Sequence, residues 1–133
     1  MGRPVSDLDE LLRSMDPELH EGVFVFVSVP GPVPDLDAIA TFREREGLTL
    51  IAEEGQALRA GLPILFRAAW ITLTVTSDLH AVGLTAAVAT ALAAAGISCN
   101  VVAGACHDHL FVPVDRAGEA LAVLQALSQP SSG

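Results

Sequence analysis

The chain has 133 residues, 51% of them hydrophobic, with 7 basic against 16 acidic side chains and a formal net charge of −9. That length suits one domain or two very small ones, and the apolar fraction is enough to bury a core, which excludes wholesale disorder. The acidic balance argues against nucleic acid and against anionic membrane surfaces, because phosphate binding needs clustered Lys or Arg. A small zwitterion, held by local backbone dipoles, is not excluded.

Ser6, with Asp9 three residues later, predicts the start of a first helix, and Leu8, Leu11, Leu12 and Met15 form its apolar stripe. Asp16-Pro17 ends it. MGRPVSDLDELL has no apolar signal core, and no run approaches the roughly 18 apolar residues of a membrane span, so a cytoplasmic protein is expected. Val23–Val29 is β-branched and aromatic on both faces, which predicts a strand buried on both sides. Pro30-Gly31-Pro32-Val33-Pro34 is a stiff connector. Ala38–Phe42 predicts a short strand, and Arg43-Glu44-Arg45-Glu46 a solvated turn or strand end. Leu48–Ile51 predicts another strand, and Glu53–Ala60 a short helix stopped by Gly61.

Ile71–Thr76 alternates apolar and polar, as a strand with one buried face does. Its polar side carries Trp70, Thr72, Thr74 and Thr76, a contact face for another sheet or subunit. A loop of small and polar residues, Ser77–Gly83, leads into a helix with Leu84, Val88, Leu92 and Ala95 on one side and Gly96 as its stop. Ile97–Ala105 predicts a second strand, and Leu110, Val112 and Val114 mark a third. Asp115 caps a last helix lined by Ala117, Ala120, Leu121, Leu124 and Leu127.

This half is therefore β-α-β-β-α, and a ferredoxin-like layer needs a fourth strand after the last helix. The N-terminal half or a second subunit is expected to supply it. The N-terminal half itself reads as a diverged copy of the same unit, which divides the chain at 1–66 and 67–133. The fold class expected is α+β: two ferredoxin-like βαββαβ units with antiparallel sheets and strand exchange between halves.

Cys99 and Cys106 both fall in predicted strands and read as reduced core thiols. His107-Asp108-His109 invites a metal reading, but Cys106 and His107 are neighbours that point to opposite faces of a strand, and no second pair stands at zinc-finger spacing. The tract reads as a tight turn, with no metal and no cofactor. No GxSxG elbow, P-loop or GxGxxG is present, and Ser77-Asp78-Leu79-His80 is not a triad merely by adjacency. An enzyme is not expected.

The run from Val82-Gly83-Leu84 to Leu92-Ala93-Ala94-Ala95-Gly96-Ile97-Ser98-Cys99-Asn100-Val101 resembles the ACT domain, the small regulatory module of amino-acid metabolism. That likeness covers about residues 69–127. Glu21–Phe26, Thr41–Leu50, Ile71–Leu73 and His107–Pro113 extend it to a stand-alone family of paired ACT-like proteins. The resemblance implies a non-catalytic regulatory protein that binds an amino acid where two domains meet. It places the ligand on Ser77, Asp78, Leu79, His80, Ala81, Val82, Gly83 and Leu84, and on Asn100 and Val101. The chemistry is plausible on its own terms: loop amides at the positive end of a helix hold a carboxylate, Gly83 admits close approach, Asp78 holds an ammonium, and Asn100 donates and accepts. Each has a plainer reading, with Asp78 a cap, Gly83 a packing glycine and Asn100 an edge-strand amide facing water. The alternative function is a structural or protein-interaction module whose ligand site has decayed. The absent strand favours exchange within the chain first and a homodimer second.

Overall fold

The computed structural model describes residues 4–32, 34–75 and 83–129. Two compact units result: Glu21–Ala69 is one, and the segments on either side of it, up to His20 and from Trp70 onward, make the other.

The inserted unit contains strands β2 (Phe24–Val29), β3 (Ala40–Arg43) and β4 (Leu48–Glu53), helix α2 (Glu54–Arg59) and the first part of strand β5 (Ile64–Leu73). Its antiparallel order is β3-β4-β2-β5. Phe24↔Glu53 through Val29↔Leu48 set the central pairing, and Phe26↔Phe66 lies in the pairing of β2 with β5. The expectation that β2 is covered on both sides follows from its residues. Val25, Val27 and Val29 join Leu50, Ala52 and Ala57 in a buried cluster. On the other face Phe24 and Ile51 are buried, and Phe26 meets Phe66 edge to face with centroids 5.6 Å apart. Among the described residues no helix connects β2 to β3. Prolines lack the backbone N–H that a helix interior needs and turn the residues before them away from helical dihedrals, and Leu36 and Ala38 of that stretch pack on the buried cluster. Gln56 of α2 pins the loop by accepting from the Asp37 backbone N–H at 2.7 Å.

The flanking unit contains α1 (Pro4–Arg13), β1 (Pro17–Leu19), the end of β5, α3 (Gly83–Ala94), β6 (Asn100–Ala103), β7 (Asp108–Pro113), a 3-10 turn (Val114–Arg116) and α4 (Ala117–Ser128). Its strand order is β1-β5-β7-β6. Strand β1 is the fourth strand that the sequence lacks after α4: it pairs antiparallel beside the first, with Pro17↔Leu73, Glu18↔Thr72 and Leu19↔Ile71. The exchange expected from the sequence is thus made by the N-terminal segment. Met15, Ile71, Leu73, Leu84, Val88, Leu92, Leu110, Val112, Ala120 and Leu124 form the core, each at most 1% exposed. At roughly 25 cal/mol per Å² of apolar surface removed from water, this layer is the unit's main source of stability. Helix α3 ends on Gly96 at φ 73°, with the Ile97 N–H returning to the Leu92 carbonyl at 2.9 Å, the left-handed stop its sequence predicts.

Three local expectations are corrected. Strand β5 ends at Leu73, because the Thr74 backbone N–H and hydroxyl turn to the carbonyls of Met15 and Asp16. Strand β6 is only Asn100–Ala103, so Cys99 precedes it and Cys106, which is exposed, follows it. The β6–β7 turn spans Gly104–His107, closed by the Gly104 N–H on the His107 carbonyl at 2.9 Å, which leaves Asp108 and His109 in strand β7 rather than in the turn.

Candidate functional site

Helix α3 begins at Gly83 without a side-chain obstacle of its own. A methyl group built there would lie 3.1 Å from Leu8 Cδ1, so α1 is seated against this glycine. Leu84 follows, 1% exposed, and anchors the first turn in the core. Ser77, Asp78, Leu79, His80, Ala81 and Val82 lie outside the described residues. Asn100 is exposed at the start of β6, opposite Phe111, and Val101 is half-buried opposite Leu110. Strand β6 ends the strand order, which makes it an edge.

Gly83 and Asn100 are not neighbours within the unit. Helix α3 has 12 residues, about 18 Å at 1.5 Å per residue, and Asn100 follows its far end. At that far end the carbonyls of Ala95 and Gly96 accept from Arg116 at 3.2 and 3.4 Å, while Arg116 also holds Glu119 at 2.7 Å.

Strands β5 and β7 bring together four side chains that the sequence scatters. Trp70 donates its indole Nε1–H to His109 Nδ1 at 3.1 Å. Thr72 Oγ1 lies 3.1 Å from the same Nδ1 and 2.7 Å from His20 Nε2. The His20 ring stacks on Trp70 with centroids 3.7 Å apart at 11°. The alternation of the 71–76 stretch signalled a half-polar face, but nothing in sequence spacing announces that His20, 50 residues away, closes on it.

In the inserted unit a groove of about 360 Å³ lies between Pro30-Gly31-Pro32 and the Arg43–Leu48 turn. Its residues are exposed or half-buried, and Glu44 is engaged by the Thr49 hydroxyl. Among the described residues no group of three or more His, Cys, Asp or Glu stands close enough to hold a metal ion. Burial pushes the Cys99 thiol up to about 11, which keeps it an unreactive thiol at neutral pH.

Two family models, both described as ACT domain, match residues 3–69 and 65–126. A solved structure from Vibrio cholerae, of a protein of unknown function described as a possible transport protein, is 50% identical, covers 96% of this chain and 100% of its own, and superposes with a TM-score of 0.85. A protein from Agrobacterium tumefaciens is 13% identical over 84% of this chain and 87% of its own, at a TM-score of 0.72. The ligand-free regulatory subunit of aspartate kinase from Thermus thermophilus is 11% identical over 88% of this chain and 99% of its own, at a TM-score of 0.67. No curated protein matches the sequence. At these identities the last two likenesses speak to fold alone.

Proposed function

The chain belongs to the ACT-domain family, and from that premise we propose that it is a non-catalytic sensor that binds an amino acid, with residues 77–84 and Asn100–Val101 as its binding residues. One observation carries this reading: among the described residues, α3 of the flanking unit opens on Gly83, ten residues after β5 ends at Leu73, whereas α2 of the inserted unit follows β4 with no residue between them. A carboxylate at that helix start meets free amides and a positive dipole end. The ACT-domain models that match both halves of the chain support a regulatory role. Because α3 separates Gly83 from Asn100, the ligand is held between two copies of the chain, the edge strand β6 of one bringing Asn100 to the loop of the other. The sites form on a homodimer in the cytoplasm.

The test is a thermal-shift screen against the twenty amino acids, combined with mass measured in solution. A ligand present at one hundred times its Kd stabilises the native state by about 2.7 kcal/mol, a clear rise in Tm. Asn100→Ala, at an exposed position, is expected to leave the ligand-free Tm unchanged and to abolish the shift. A screen without any shift at millimolar ligand would favour the alternative, an interaction module without a working ligand site.

A further inference from the structure

The polar face that gathers His20, Trp70, Thr72 and His109 has a proton order fixed by its geometry. An indole nitrogen only donates, so His109 Nδ1, 3.1 Å from Trp70 Nε1, is an acceptor and the ring proton sits on Nε2. The Thr72 hydroxyl, also 3.1 Å from that Nδ1, must then donate toward it. Having spent its one proton, the hydroxyl accepts from His20 Nε2 at 2.7 Å. This is the single arrangement in which all three contacts carry a hydrogen.

His109 is the ring whose contacts an added proton would break. A proton added to His109 goes on Nδ1 and sets an N–H against the Trp70 N–H and the Thr72 O–H. Thr72 is only 7% exposed, so water cannot readily replace what is lost. The segment fastened here is the N-terminal one, because His20 stacks on Trp70 and its backbone N–H bonds the Trp70 carbonyl at 2.9 Å.

We infer that His109, Trp70, Thr72 and His20 form a pH-sensitive clasp that holds the N-terminal segment on strand β5 at neutral pH and opens when His109 takes a proton. The surrounding charges agree. Burial, then the charges of His107 and His20, hold His109 below its ordinary value of 6.5, against Asp108 alone. From β1, Glu18 stands opposite Thr72; β6 presents Val102 opposite His109 and brings no titratable group there; and the turn sets Gly104 beside Nε2, with a methyl built at that position only 3.3 Å away. The sign follows from proton counting. The open form binds the proton more tightly, so the clasp's stability is complete above 6.5 and is lost as pH falls below it, by up to tenfold in the opening constant per pH unit.

Trp70 is the chain's one tryptophan, and there is no tyrosine, so emission reads the surroundings of this one indole. The full-length protein is titrated from pH 8 to 4.5, following Trp emission, far-UV circular dichroism, the single indole ¹H–¹⁵N signal and the protection of the His20 amide relative to β7 amides. Expected are a reversible emission change and indole shift with a common midpoint below 6.5, constant dichroism, and His20 protection falling up to tenfold per unit. His109→Gln supplies an acceptor that does not titrate and is expected to abolish the transition, while His20→Gln keeps it. A still indole signal in the unmodified protein, a transition that persists in His109→Gln, or emission that changes only together with dichroism would overturn the clasp. The indole signal decides the matter even if a variant fails to fold.

Discussion

The two units solve one layout with different materials. In the flanking unit two helices cover the sheet and a third, α1, packs on them. The inserted unit has α2 alone, and a prolyl loop lays Leu36 and Ala38 where a first helix would run. Their other sheet faces differ as well. The inserted unit sets Phe26 edge to face on Phe66, whereas the flanking unit hydrogen-bonds Trp70, Thr72, His20 and His109. An apolar pair needs only contact, but a buried polar network needs every proton accounted for. That face of the inserted unit therefore rests on apolar contact, and that of the flanking unit on a hydrogen-bonded network.

If the N-terminal segment is a true part of the flanking unit, its loss is felt as a core loss. Met15 is 0% exposed, as is Leu124 of α4. Met15→Ala and Leu124→Ala are each expected to cost about 2–5 kcal/mol, measured by urea unfolding. A cost for Met15 near that of a surface change, about 0.5 kcal/mol or less, would make the segment an appendage and break the comparison.

The inserted unit has its own rigid point. Gly47 sits at φ 155°, and a methyl there would approach the Val29 carbonyl oxygen to 2.6 Å. The obstacle is backbone, so Gly47→Ala is expected to cost about 3 kcal/mol, the upper end for a strained position. Thr72→Val tests the polar face of the other unit at similar volume. It leaves His20 Nε2–H without its acceptor, a cost of about 1–2 kcal/mol, and should also blunt the pH dependence. Thr49→Val, at the turn end of β4, is expected to stay within about 0.5 kcal/mol.

Much of this layout was legible in the residues. The β-α-β-β-α order from Trp70 onward follows from periodicities of 2 and 3.6 and from Gly96, all local signals. The need for a borrowed strand was legible too, as a count that did not close. Its identity was not: Pro17-Glu18-Leu19 is three residues long and begins with a proline, and only its pairing with Ile71–Leu73 makes it a strand. The His109 cluster was hidden for the same reason, since tertiary pairing carries no sequence spacing. Four of the ten proposed ligand residues are visible: Gly83 and Leu84 open α3 and Asn100 and Val101 open β6, while the other six lie outside the described residues.

The smallest effect separates the units' surface ion pairs. In the inserted unit Arg67 donates to Glu54 at 2.6 and 3.3 Å, and its side chain is 52% exposed. In the flanking unit Arg116, 33% exposed, holds Glu119 and also the Ala95 and Gly96 carbonyls at the C-terminal end of α3. A cation at a helix C-terminus gains from the dipole, and those carbonyls lack partners within the helix. The inserted unit has no first helix to offer such an end. Arg116→Met should therefore lower the urea midpoint more than Arg67→Met, and the Arg67 effect should vanish first as salt is raised. The hydrogen bond from Arg67 holds the Glu54 carboxyl below its ordinary 4.5, so whatever that pair adds is present above pH 4.5 and is lost as pH falls through the lowered value. Equal midpoints for the two variants at low salt would mean that the α3 carbonyls gain nothing from Arg116, and the contrast between a helix-bearing and a loop-bearing unit would lose its electrostatic part.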